Sequence, residues 1–147
     1  MNRPLVYAAH PMTTYGTDHA RRCLSGLAGL LSACELLDPE ARAWETDEAR
    51  LSEWRIIVAR LTGLVVFAAE DGTIGVGCVR EITDAIAESV PVAAYSLVVG
   101  LVDLAAVDFL PQGERSARRV GTMRIGAPVT WSWARSPADT SRKTNSP

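Results

Sequence analysis

Residues 64–82 read LVVFAAEDGTIGVGCVREI, a run that predicts a strand, a glycine-rich turn and a helix in succession. The apolar segment Leu64–Ala69 has the length and composition of a buried strand. Gly75 and Gly77 in the turn would let the backbone approach a ligand closely. The opening turn of a helix presents free N–H groups, which attract anions. Because the carboxylate of Glu81 follows directly, this run predicts a ligand site with a candidate nucleophile beside it.

Further apolar runs and helix-like segments alternate on both sides of this stretch. Strands are predicted at residues 5–9, 35–37, 64–69 and 90–95, and helices from Thr17 or Asp18 to about 33, from 47 to 60 and from 78 to 89. Strands that alternate with helices imply βαβ units with right-handed crossovers. The predicted fold class is therefore α/β, a Rossmann-like (flavodoxin-like) parallel sheet flanked by helices.

The last third of the chain gives a weaker pattern. Residues 101–107 fit a helix or a strand, and residues 123–131 suggest a late strand or an arm. Residues 1–133 are predicted to form a single domain. The polar segment 134–147 carries two prolines and no apolar period, so a disordered tail is expected there.

Composition narrows the class of protein. The chain has 147 residues, of which 48% are apolar and 22% charged, with a net charge of −2. These values predict a globular protein and argue against a nucleic-acid partner, which usually meets a strongly basic face. No apolar run approaches the roughly 18 residues of a membrane span, and no signal peptide is evident, so a cytoplasmic protein without membrane contact is expected. Three cysteines fit no zinc motif and the two histidines lack clustered acids, so neither a metal nor another cofactor is expected.

Two loops should share one edge of the sheet, because ligands of open α/β sheets bind beyond the carboxyl ends of the strands. The loop at residues 10–16 follows the first strand, and the loop at residues 71–77 follows the third. We expect substrate contacts from side chains and backbone in both loops: His10, Met12, Tyr15, Thr73, Gly75 and Gly77. Simpler interpretations stay open. Glu81 could be a first-turn acid favoured by the helix dipole, and the glycines could only form a tight connection from strand to helix. A dinucleotide fingerprint is disfavoured because Arg80 stands where a third glycine would be needed.

Three segments together resemble the nucleoside 2-deoxyribosyltransferase superfamily, which includes nucleoside 5′-monophosphate N-glycosidases of the cytidylate hydrolase type. They are Val6-Tyr7-Ala8-Ala9-His10-Pro11-Met12, the strand at residues 64–69, and the run from Gly75 through Glu81 to Ala85. The resemblance covers about residues 4 to 95. It implies that Glu81 attacks C1′ of the sugar, that Tyr7 holds this nucleophile, and that Asp71 is associated with the base or with its protonation. It also implies a homodimer, because such sites are often completed across a subunit interface.

The resemblance predicts hydrolysis of the N-glycosidic bond of a nucleoside 5′-monophosphate, with a small-molecule nucleotide as partner. A carboxylate near C1′ stabilises the developing oxocarbenium charge and can trap the sugar covalently. Asp71 could protonate the departing base if its pKa were raised. The alternatives are a transferase that moves deoxyribose between bases, a non-catalytic nucleotide-binding module and a scaffold within a complex.

Overall fold

The computed structural model describes residues 3–41, 47–109 and 120–136. Seven strands form one sheet: β1 Leu5–Ala9, β2 Glu35–Leu37, β3 Gly63–Val66, β4 Thr73–Gly75, β5 Val92–Ser96, β6 Gly100–Phe109 and β7 Val120–Pro128. Three α-helices accompany it: α1 Asp18–Leu30, α2 Asp47–Val58 and α3 Val76–Ala87. Short 3₁₀ turns lie at Met12–Thr14, Pro39–Ala41 and Ser132–Ala134.

The sheet is mixed, in the order β2-β1-β3-β5-β6-β7-β4. The first four strands of that order are parallel, which confirms the predicted Rossmann-like α/β class. The remaining part of the sheet is antiparallel. After a tight turn β6 pairs antiparallel with β5, and β7 pairs antiparallel with β6. Residues 101–107, which the sequence left open between helix and strand, are therefore strand.

Strand alternation divides the core into two layers. On β1, Val6 and Ala8 face the cluster that contains Leu27 of α1, whereas Tyr7 faces the cluster that contains Trp54 of α2. This follows from the two-residue period of a strand, which sends successive side chains to opposite faces. Tyr7 is thereby placed on the face that α3 also covers.

The start of the third helix differs from the sequence prediction. Residues 73–75 form an edge strand paired with β7, and α3 begins at Val76 rather than at Cys78. Gly75 is the N-cap residue, and Gly77 lies within the first helical turn. Glu81 is consequently the sixth residue of the helix, so the interpretation of Glu81 as a first-turn acid is wrong.

Residues 134–136, which the sequence assigns to the tail, lie against the domain. Ala134 is buried, and its carbonyl accepts a hydrogen bond of 3.1 Å from the Ala33 N–H. Just before it, the rings of Trp131 and Trp133 stack with centroids 5.1 Å apart, close to Gly63 at the start of β3. Residues 137–147 of the predicted tail lie outside the described residues.

Candidate functional site

Glu81 lies on the inner margin of α3. Cys78, Ile82 and Ala85 are the buried residues of this helix, and Glu81 adjoins that stripe in a partly buried position. The side chain of Tyr7, only 2% of which is exposed, forms a hydrogen bond with the Glu81 carboxylate. The structure thus brings together the two residues that the sequence analysis assigned as nucleophile and orienting group.

Burial controls the protonation of this pair. Desolvation raises the pKa of Glu81 to about 7, while the hydrogen bond from Tyr7 and the positive charge of Arg50 oppose that rise. Burial and the Glu81 charge together hold the pKa of Tyr7 well above its usual range. Tyr7 therefore keeps its proton at neutral pH, and its O–H group donates a hydrogen bond to the carboxylate.

Tyr15 also lies within electrostatic reach of Glu81. Burial raises the pKa of Tyr15, and the charge of Glu81 is the next largest cause. The loop after β1 therefore does approach Glu81, as the shared sheet edge predicts. In the same loop Met12 is 73% exposed and is open to a ligand from solvent.

His10 does not occupy the substrate-contacting position expected of it. Its ring is buried, with Nδ1 2.6 Å from Thr14 Oγ1 and Nε2 2.8 Å from Asp38 Oδ1. It stacks on Phe67 with ring centroids 4.6 Å apart. Because both ring nitrogens already have partners, His10 holds the loop together instead of facing a substrate. The expectation that no acids cluster with a histidine is wrong, since Asp38 and Glu40 follow β2 and lie beside His10.

Asp71 and Thr73 form a local turn at the surface. Asp71 Oδ1 accepts hydrogen bonds from the Thr73 N–H at 3.0 Å and from the Thr73 hydroxyl at 2.6 Å. These bonds lower the pKa of Asp71, which is the opposite of what a proton donor to the base requires. The N–H and O–H hydrogens of Thr73, which we expected to contact a substrate, are occupied by the same bonds.

The two glycines of the turn have free space around them. A Cβ added at Gly75 or at Gly77 would meet no other atom within 4 Å among the described residues. The packing of the chain therefore does not require glycine at either position. The first turn of α3 keeps an open approach on that side, with Val76 half exposed.

Three further residues adjoin the Tyr7–Glu81 pair, and of these only Arg50 was singled out by no sequence pattern. Arg50 of α2 supplies a positive charge, and Cys78 lies close enough for Glu81 to contribute to its raised pKa of about 12. Trp54 of α2 packs its ring 4.9 Å from that of Tyr7 and donates a 2.9 Å hydrogen bond to Asp84. Trp54 is buried, and no local pattern in the sequence shows that α2 faces α3.

Two clefts lie on opposite faces of the sheet. One, of about 650 Å³, lies between α2 and α3, and Trp54, Arg80 and Asp84 are among its lining residues. The other, of about 540 Å³, lies between α1 and the end of β5. Glu81 lines neither cleft, although Asp84, one turn further along α3, lines the first.

Replacement of Tyr7 by phenylalanine is expected to raise the pKa of Glu81 further above 7. The variant loses a hydrogen bond that favours the ionised carboxylate, while burial continues to disfavour it. A pH titration of the Glu81 carboxyl carbon by NMR measures this shift. Tyr95→Phe is the matched control, because Tyr95 belongs to the cluster on the opposite face of the sheet. An unchanged Glu81 titration in Tyr7→Phe would contradict the assigned hydrogen bond.

Glu81 is also expected to make stability depend on pH. Its pKa rises from the ordinary 4.5 to about 7 on folding. Between these two pH values the folded state therefore holds a proton that the unfolded chain has released. The stabilising contribution of the Glu81 carboxyl group to the free energy of unfolding is therefore fully present below pH 4.5 and is lost as the pH rises through 7. The free energy of unfolding of the native chain should fall by about 3 kcal/mol more than that of Glu81→Gln across this window. Urea unfolding at a series of pH values measures both, and parallel curves would contradict the raised pKa.

Comparisons with known proteins add no assignment. No protein-family model matches the chain, and a search of curated proteins finds no match. Among the described residues, none of the helices has the length and apolar character needed to cross a bilayer.

Proposed function

We propose that this protein is an N-glycosidase that hydrolyses a nucleoside 5′-monophosphate to a free base and a sugar phosphate, with Glu81 as nucleophile. The observation that supports this most directly is the partly buried Glu81 carboxylate held by the hydroxyl of Tyr7. An orienting donor on a neighbouring element is what a positioned carboxylate nucleophile needs. The motif resemblance assigned the same two residues to the same roles.

The proposed reaction has two steps. The ionised Glu81 carboxylate attacks C1′ as the C1′–N bond breaks, and the base leaves with the bonding electron pair and takes up a proton. Water then attacks C1′ of the resulting glycosyl ester, which releases the sugar phosphate and restores the carboxylate. With the Asp71 pKa lowered, water is the proton source that this proposal retains for the base.

The charges around Glu81 suit this chemistry. Arg50 and Tyr7 favour the ionised form of the nucleophile, and burial keeps the carboxylate from being fully solvated. A pKa of about 7 leaves roughly half of the molecules ionised at neutral pH.

Incubation with a panel of nucleoside 5′-monophosphates and the matching nucleosides tests the proposal. Chromatography should show free base from at least one monophosphate and less from its nucleoside. Folded protein that releases no base from any member of the panel would overturn the proposal. Addition of a second base distinguishes a transferase, which would form a new nucleoside, and calorimetric binding without turnover would indicate a binding module.

The proposal includes a homodimer with a small-molecule nucleotide as ligand. Sedimentation equilibrium across a range of protein concentrations tests the oligomeric state. A monomer at all concentrations would remove the dimer from the proposal and would leave the chemistry of Glu81 to be tested separately.

A further inference from the structure

We propose a divalent metal site formed by His10, Asp38 and Glu40, at the ends of β1 and β2. Each of these residues offers one ligand atom, and the three atoms lie within 4.8 Å of one another. His10 follows β1, and the two acids follow the neighbouring strand β2, which is parallel to it. The proposal is independent of the glycosidase chemistry of Glu81.

The contacts of Thr14 suit a histidine that binds a metal through Nε2. Thr14 Oγ1 lies 2.6 Å from Nδ1 of His10 and 2.6 Å from the Pro11 carbonyl oxygen. When the single hydroxyl hydrogen goes to Pro11, Thr14 Oγ1 accepts a hydrogen bond from Nδ1–H of His10. The other nitrogen, Nε2, faces the Asp38 carboxylate at 2.8 Å.

A neutral imidazole protonated on Nδ1 would consequently turn a lone pair toward a carboxylate oxygen. This arrangement is repulsive unless a positive species lies between the two atoms, either a second proton on the ring or a metal ion. Two ligand atoms that each lie about 2.1 Å from an ion are about 3.0 Å apart at the right angle of an octahedral site and about 3.4 Å apart at the angle of a tetrahedral one. Nε2 and Asp38 Oδ1 are 2.8 Å apart, so a bound ion would need them to separate by only a few tenths of an ångström. Glu40 supplies a third ligand atom in the same region.

The surroundings match those of a metal-bound histidine. Such a histidine usually donates its other ring N–H to a fixed acceptor, which sets its orientation. Here Thr14 Oγ1, itself held by Pro11, lies 2.6 Å from Nδ1 and can be that acceptor. The ring is further immobilised by stacking on Phe67.

The two acids are also fixed in place. Asp38 Oδ1 accepts the Glu40 N–H at 3.0 Å, and Glu40 Oε1 accepts the Gly16 N–H at 2.6 Å. His10 is buried whereas Glu40 is exposed, so an ion could enter from the Glu40 side. One imidazole with two carboxylates suits Zn²⁺, Mn²⁺ or Co²⁺, because oxygen ligands alone are the usual choice for Mg²⁺ and Ca²⁺.

Calorimetric titration of the chelator-treated, full-length protein with Zn²⁺, Mn²⁺ and Co²⁺, each added separately, tests the site. We expect one ion per chain for at least one of them and a higher melting temperature in its presence. Glu40→Gln should weaken binding at least about tenfold, and Asp38→Asn should weaken it further. Glu35→Gln is the matched control, because Glu35 is an exposed acid of β2 outside the cluster and its replacement should leave the affinity unchanged.

The Co²⁺ spectrum identifies the ligands independently. Oxygen and nitrogen ligands give only weak visible bands, whereas binding to Cys23, Cys34 or Cys78 would give strong near-ultraviolet thiolate absorption. No binding at millimolar metal by folded protein would overturn the proposal and leave a proton shared between His10 and Asp38. Thiolate absorption, or binding that Glu40→Gln and Asp38→Asn leave unchanged, would overturn it as well.

Discussion

Glu81→Gln is expected to reduce base release from the best nucleotide substrate by at least about a thousandfold. Glutamine keeps the size of the side chain and can accept the hydrogen bond from Tyr7, but it has no anionic oxygen to attack C1′. The loss should appear mainly in kcat, because the covalent step is removed while the surfaces that bind the nucleotide remain. Initial rates of base release at saturating nucleotide measure it.

Glu88→Gln provides the control for this substitution. Glu88 is exposed at the end of the same helix, so its variant makes the same chemical change outside the site. We expect its rate to equal that of the native chain. If Glu81→Gln retained the native rate while its circular dichroism was also native, Glu81 would not be the nucleophile.

Gly26→Ala is expected to destabilise the protein by about 1–3 kcal/mol, even though alanine is the better helix former. Gly26 lies in α1 directly over Tyr95 of β5, and an added Cβ would lie 1.9 Å from the Tyr95 hydroxyl oxygen and 2.9 Å from the carbon that carries it. Tyr95 is buried, so the ring cannot move away without disturbing the packing between α1 and the sheet. Urea unfolding monitored by circular dichroism measures the change.

Gly29→Ala, in the same helix, should have the opposite sign. A Cβ at Gly29 meets nothing within 4 Å in the described part of the chain, so only the helix propensity remains and a gain of about 0.5–1 kcal/mol is expected. Adding Tyr95→Phe to Gly26→Ala should recover part of the loss, because it removes the nearest atom. Equal stability of the two alanine variants would contradict the close contact between α1 and β5.

Local patterns predicted the helices and parallel strands because those elements depend on nearby residues. β1 spans the predicted residues, and Thr17 caps α1 by accepting the Ala20 N–H through its side chain. The pair of β6 and β7 was harder to predict, since the apolar residues at 101, 102 and 104–107 follow neither the helical nor the strand period. Pairing with β5 on one side decides their conformation.

The candidate site was only partly predictable. Tyr7 and Glu81 were identified from motif resemblance, and the structure places them in contact. His10 and Asp71 have suitable residue types, yet the side chain of His10 is already in contact with Asp38 and that of Asp71 with Thr73. A sequence shows which side chains can bind a ligand but does not show which of them are already bound to each other.

The sequence by itself determined the alternation of the parallel strands with the three α-helices and, through strand alternation, the opposite faces taken by Tyr7 and Ala8 of β1. These properties follow from backbone periods that act over a few residues. Only the tertiary structure decided that Arg50 and Glu81 are neighbours, that residues 73–75 form an edge strand, and that the acids after β2 surround His10. The reason is physical: a carboxylate's pKa and a glycine-rich segment's hydrogen bonds depend on groups from distant parts of the chain, which only packing brings together.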